Sequence, residues 1–341
     1  MGDAATGMWK TLILVLFVAA AMSAGLILIL RPAFARYAIA RPNARSSHTV
    51  PTPQGGGIAV VAATLIAGWL GAALANTGVS TFEWLALSAS AILLALTGGI
   101  DDIRGLGAVP RLLIQIVAVG LVIAALPDDF AVMPQLAQPV ERALLLLGGV
   151  WFVNLVNFMD GIDWMTVAEI VPVTAGVALL GLTNGAPPGT VVVALALLGA
   201  IIGFAPFNRP VARLFLGDVG SLPIGLLLGW LMLMLAGRDN LAAAILLPLY
   251  YLADATITLA RRLIRREAIW EAHRIHFYQR ATDGGFSVEE IIVRVFVVNL
   301  ALAGLALVTA IEPDPRVELA TVALGGALVA WLLLTFARGK R

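Results

Sequence analysis

Cysteine is absent, and charged residues make up only 13% of the 341. The first absence excludes disulfides and thiolate chemistry and leaves carboxylate, imidazole and amide groups for any catalysis or metal binding. The second excludes an ordinary soluble protein, in which about a quarter of residues are charged. What is present instead is 60% hydrophobic residues and a mean hydropathy of +0.95, the composition of a polytopic membrane protein. A net charge of +1 and a pI near 8.2 give no reason to expect a nucleic-acid partner.

Apolar runs of spanning length lie near residues 11–30, 56–75, 84–100, 112–126, 143–158, 165–182, 190–206, 222–236, 241–259, 291–311 and 317–336. The expected fold is all-α, with about 11 transmembrane helices in a single integral membrane domain over 1–341. The first run follows Lys10 and is read as a retained helix rather than a cleaved signal, because it continues for a spanning length. Of the 22 basic residues, 18 fall in one set of alternating loops, against Lys10, Arg142, Arg238 and Arg316 in the other. The positive-inside rule then puts the N-terminus outside and the C-terminus in the cytoplasm. The cytoplasmic loops are expected at about 31–55, 101–111, 159–164, 207–221 and 260–290.

Gly98–Asp102 (GGIDD) places two carboxylates where an apolar run stops, which costs several kcal/mol unless a metal, a cation or water receives them. Asp101 and Asp102 suit an oxygen-ligated hard cation, and one of a close pair can serve as a base. A helix-end pair bonded to Arg104 is the plainer reading, but acids at a helix C-terminus oppose the macrodipole. In NLVNFMDGIDW, the residues Asn154, Asn157, Asp160 and Asp163 recur every three positions, which lines one helical face with amides and carboxylates. A polar stripe between packed helices is the alternative there. FNRPVARLFLGDVGS supplies Asn208 and, in a Gly-Asp-x-Gly-Ser turn before a helix, Asp218, suited to a metal and a phosphate together.

Two basic loops complete the set. RPNARSSHTVPTPQGGG offers Arg45 and His48 to phosphate oxygens, although basic interfacial loops of this kind are common. The segment around AHRIHFYQR carries His273, Arg274 and His276; it reads equally as an amphipathic arm on anionic lipid.

These five stretches, in this order and on one side, resemble the polyprenyl-phosphate N-acetylhexosamine-1-phosphate transferases, over about Arg41 to Arg280. AHRIHFYQR looks most like the bacterial O-antigen-initiating branch, and nothing matches the multi-histidine motif of the peptidoglycan enzyme. The resemblance implies transfer of a sugar 1-phosphate from a UDP-N-acetylhexosamine to undecaprenyl phosphate at the cytoplasmic face of the bacterial inner membrane. UMP would be released, with Mg2+ (or Mn2+) as cofactor. By motif, Asp101 is the expected base and Asp102 its acidic neighbour near the metal. Asp218 is the metal-binding aspartate. Asn154, Asn157, Asp160 and Asp163 match the nucleotide and metal pocket, and His273, Arg274 and His276 the basic loop over the sugar diphosphate. The family's DGxDG ends here in Trp164 in place of Gly, and a homodimer is expected by analogy alone. The rival readings are an ion- or proton-coupled transporter and a CDP-alcohol phosphotransferase. A carrier should hold its charges near the midplane and show repeated halves. The CDP-alcohol pattern of aspartates within one helix pair is missing.

Overall fold

A computed structural model of the chain describes residues 2–37, 39–40, 51–75, 77–183, 185–268 and 273–340. In order, the elements are α1 (Gly2–Tyr37), β1 (Ile39–Ala40), β2 (Thr52–Pro53), α2 (Gly56–Leu74), α3 (Thr81–Arg104), α4 (Ala108–Ala124), α5 (Gln138–Met159), α6 (Met165–Leu180), α7 (Pro188–Asn208) and α8 (Asp218–Ala236). They continue with α9 (Leu241–Leu246), α10 (Leu249–Ile264), α11 (Phe277–Asp283), α12 (Val288–Ile311) and α13 (Pro315–Arg338). The protein is an all-α polytopic membrane protein, and every expected apolar run is helical.

Two of the eleven expected runs are not single helices of spanning length. Among the described residues, 9 helices are long and apolar enough to cross a membrane: α1, α2, α3, α5, α6, α7, α8, α12 and α13. The run at 112–126 becomes α4, with 17 residues. The run at 241–259 is split into α9 and α10, because Pro248 has no N–H to donate and cannot continue the ladder. Large side chains such as Phe17, Ile29 and Leu147 are exposed on the outside of the bundle, as hydrocarbon contact requires.

Helices α7 and α8 are the most enclosed. Helix α3 crosses the start of α8 so closely that a Cβ on Gly98 would lie 2.2 Å from the Asp218 carbonyl oxygen. Only glycine allows that approach, and small residues are the usual means of bringing membrane helices together. Its consequence is positional: the next turn of α3 sets Asp102 against the first residues of α8. A short antiparallel pair, Ile39–Pro53 and Ala40–Thr52, joins the α1 exit to the α2 approach. Phe215 N then donates to Pro53 O (2.9 Å), and Gly57 N to Leu216 O (2.9 Å), tying the first polar loop to the fourth. The polar ends of α3, α5 and α10 and the start of α8 therefore gather at one end of the bundle.

Candidate active site

Helix α8 is preceded at its N-cap position by Gly217, which has no side chain to cap the free N–H groups of the first turn. Asp102 caps them from another helix. Its Oδ1 accepts from Asp218 N (3.0 Å) and its Oδ2 from Val219 N (3.1 Å). Gly217 adopts φ +77, and a Cβ there would lie 2.6 Å from Asp102 Oδ2. The glycine of the Gly-Asp-x-Gly-Ser turn thus admits the carboxylate of the GGIDD turn. Gln54 Nε2 holds the same turn by donating to Asp102 O (3.0 Å).

The side chain of Asp218 points the other way. Its Oδ1 accepts from Asn157 Nδ2 (2.7 Å), which also donates to Ser221 Oγ (2.9 Å). Its Oδ2 lies 3.6 Å from Arg111 Nη1. Arg111 is held by Asp101, whose Oδ2 is 2.9 Å away, while Asp101 Oδ1 accepts from Leu106 N. Both oxygens of Asp101 are engaged, and this residue does not line the cavity described below.

Asp160 terminates α5 and accepts from the Thr166 hydroxyl of α6. Burial pushes its carboxyl up to about 7, against the Thr166 hydrogen bond, with the neighbouring Asp102 and Asp163 charges adding to the rise. Asp163 Oδ2 accepts from Ala212 N (2.9 Å). Asn208 is spent on the scaffold: its Oδ1 accepts from Trp164 N (2.9 Å) and its Nδ2 donates to Leu214 O (3.0 Å). Trp164 itself stands at φ 61, the left-handed conformation that a glycine adopts freely. Its indole is anchored by Nε1 donating to Ala205 O (2.7 Å).

Asp102, Asn157, Asp160, Asp163, Asn208 and Asp218 line one cavity of about 490 Å³. Glu289 of α12 lines it too, so five carboxylates converge there from four separate stretches of sequence. Among the described residues no three His, Asp or Glu side chains form a ready metal cage. The other sequence candidates lie elsewhere. Asn154 exchanges amide hydrogen bonds with Gln115 of α4 (2.7 and 3.3 Å) and fastens two helices together. Gln115 is fully buried, and this closed amide pair removes Asn154 from the cavity. Arg45 and His48 lie outside the described residues.

His273, Arg274 and His276 do not line the cavity either. The two imidazoles stack 5.0 Å apart, beside Phe158 at the end of α5. Arg274 is bound to Thr282 Oγ1 (3.0 Å) and Asp283 Oδ1 (3.2 Å). This segment is organised by Asp254 of α10, a residue sequence reasoning missed. Asp254 is fully buried and accepts from Phe277 N (3.0 Å), Tyr278 N (3.2 Å), Tyr250 Oη (3.3 Å) and Thr258 Oγ1 (3.3 Å). His276 Nδ1 lies 3.2 Å from it. The available signal was a single acid inside an apolar run. Tyr278 links this cluster to the cavity, since its hydroxyl donates to Phe158 O (3.0 Å) beside Gly161.

The sequence model of Glycosyl transferase family 4 matches residues 84–236, which include Asp101, Asp102, Asn157, Asp160, Asp163, Asn208 and Asp218. A Bacillus subtilis protein named as a probable undecaprenyl-phosphate N-acetylglucosaminyl 1-phosphate transferase is 27% identical over 278 residues, 76% of this chain and 75% of its own. The Mycobacterium tuberculosis decaprenyl-phosphate N-acetylglucosaminephosphotransferase is 29% identical over 334 residues, 86% of this chain and 80% of its own. A phospho-N-acetylmuramoyl-pentapeptide-transferase of a Synechococcus species is 28% identical over 288 residues, 75% and 76% of the two chains. The acids of three motifs thus meet at one end of the bundle in a chain that is similar to glycosyl transferase family 4 over residues 84–236 and to polyprenyl-phosphate N-acetylglucosamine phosphotransferases over most of its length.

Proposed function

We propose that this protein transfers an N-acetylhexosamine 1-phosphate from a UDP-sugar to undecaprenyl phosphate at the cytoplasmic face of a bacterial inner membrane. The observation that carries this reading is the cavity lined by five carboxylates and three amides, of which four carboxylates and two amides come from the three motifs that the family's resemblance assigns to donor and metal. In the reaction an oxygen of the lipid phosphate attacks the sugar-linked phosphorus of the donor. The bond from that phosphorus to the oxygen bridging to the uridylyl phosphate breaks, and UMP leaves with that oxygen. The product is a polyprenyl diphosphate sugar of the kind that starts a cell-envelope glycan, O antigen being one candidate.

An acidic cavity cannot by itself receive a diphosphate, since like charges repel. The donor set fits Mg2+, which is bound by one or two carboxylates and completes its shell with water and substrate phosphates, not by a dedicated protein cage. Asp218, whose Oδ2 has Arg111 at 3.6 Å as its partner among the described residues, and Asp102 are the residues that would hold it. When bound, such an ion supplies neutralisation of the diphosphate charge.

The chain's own residues do the positioning. Asp102 fixes the start of α8, Asn157 orients the Asp218 carboxylate, and Arg111 brings a positive charge to the cavity edge. Expected from sequence as the base, Asp101 has both oxygens occupied and is better suited to holding Arg111. Asp160, which faces the cavity and titrates near neutrality, is the group we assign to take the proton of the acceptor phosphate. A carrier is not favoured, because these acids stand at helix ends on one side. The test is UMP release by purified protein from a panel of UDP-N-acetylhexosamines, with and without undecaprenyl phosphate and Mg2+. UMP that requires lipid, metal and one particular sugar supports the reading and names the donor. No UMP from folded protein with any donor overturns it.

A further inference from the structure

A second polar cavity at the same end of the bundle has the opposite charge. It is about 220 Å³ and is lined by Thr258, Arg261, Arg262, Arg265, Ile275 and Arg280, sharing no residue with the acidic cavity. Arg262 is committed to the protein: it is buried, bonds His273 and Ala268 O, and lies 3.3 Å from Glu267. Arg261 sits over the Phe277 ring at 4.7 Å. Arg265 and Arg280 are exposed, and their side chains make no hydrogen bond or ion pair among the described residues. Four guanidinium groups therefore surround one concavity, and among the described residues Glu267 is the carboxylate paired with one of them. Such a cluster repels itself unless an anion enters.

The surroundings identify the anion's source. Ile264 is 81% exposed, Leu263 65%, and Ile257 and Ile275 38% each, on the same stretch as the arginines. Exposed aliphatic side chains around a basic cavity at the end of a membrane helix suit a bilayer lipid, whose chains cover the isoleucines while its phosphate meets the guanidiniums. A soluble nucleotide would leave those side chains in water. We propose that this cavity binds the headgroup phosphate of an anionic phospholipid, with Arg265 and Arg280 as its principal partners. The site is independent of the transfer reaction and does not rest on it.

The test is retention of lipid by the full chain, transferred from nanodiscs of phosphatidylcholine alone or mixed with phosphatidylglycerol and read by native mass spectrometry. The wild-type protein should keep phosphatidylglycerol in preference to phosphatidylcholine. The double variant Arg265→Gln/Arg280→Gln should hold it at least tenfold more weakly, at roughly 1 kcal/mol for each basic residue near the surface. The charge-preserving Arg265→Lys/Arg280→Lys should retain most of it. Equal retention of the two lipids by the wild type, a comparison independent of any variant's folding, overturns the proposal. So does unchanged retention in a folded Gln variant. Binding of inorganic pyrophosphate without any preference for phosphatidylglycerol would show a soluble phosphate to be the ligand and equally overturn it.

Discussion

Asp102 and Asp254 perform one operation in two settings. Each is an aspartate on one helix whose carboxylate accepts the first two backbone N–H groups of another, α8 for Asp102 and α11 for Asp254. The difference lies in what surrounds them. Asp254 is fully buried among two tyrosines' helices, a threonine and His276, and every direction of its carboxylate is filled. Asp102 opens on a cavity that holds four further acids. The same device is structural where it is enclosed and becomes part of a site where it is left reachable. A carboxylate fixed by backbone donors is preorganised, which is what a group facing a diphosphate requires.

The comparison can be broken by substitution. The largest effect on stability is expected from Asp254→Ala, which strips the α11 cap and leaves His276 without its partner. Breaking a buried pair of this kind costs about 3–5 kcal/mol, read as a lowered melting temperature in detergent. Asp102→Ala should cost less, about 1–2 kcal/mol for a lost cap that cavity water can replace, yet reduce UMP release by about a hundredfold or more. Equal destabilisation by the two would erase the distinction drawn between them. Asp160 sharpens it through pH. Its carboxyl holds a proton more tightly in the folded chain, about 7, than at its ordinary 3.8, so it favours folding at low pH. That contribution falls away as the pH rises through about 7, and without divalent metal Asp160→Asn should flatten the decline in melting temperature across this range. The smallest effect is expected from Trp164→Gly. Relief of the left-handed backbone, about 1 kcal/mol, is set against the lost indole bond to Ala205 O, also about 1 kcal/mol, so the melting temperature should move by a few degrees at most.

The helices were legible because a membrane leaves the chain few options: each apolar run had to satisfy its backbone internally and became helical. The break at Pro248 was missed because the run looked continuous by hydropathy although its proline was in view. In the site, Asp102, Asn157, Asp160, Asp163 and Asp218 came together as their motifs suggested. Asn154 did not, since three-residue spacing defines a helical face but not what the face meets, and Gln115 on α4 met it first. Asp254 and Glu169 were passed over as members of apolar runs, although an acid inside such a run is itself a signal. Glu169 is fully buried and accepts from Asn299 Nδ2 (2.7 Å), joining α6 to α12. The trans-cap on α8 was beyond reach, because no spacing rule relates Asp102 to a helix that starts more than a hundred residues later.

The most direct measurement is UMP release by Asp218→Asn beside the wild type, with circular dichroism and melting confirming that both are folded. Asp218 is held by Asn157 without bearing on any helix cap, so its replacement should leave the fold intact while Mg2+-dependent turnover disappears. Turnover retained at the wild-type level by the folded variant would contradict the assignment of this cavity as the transfer site.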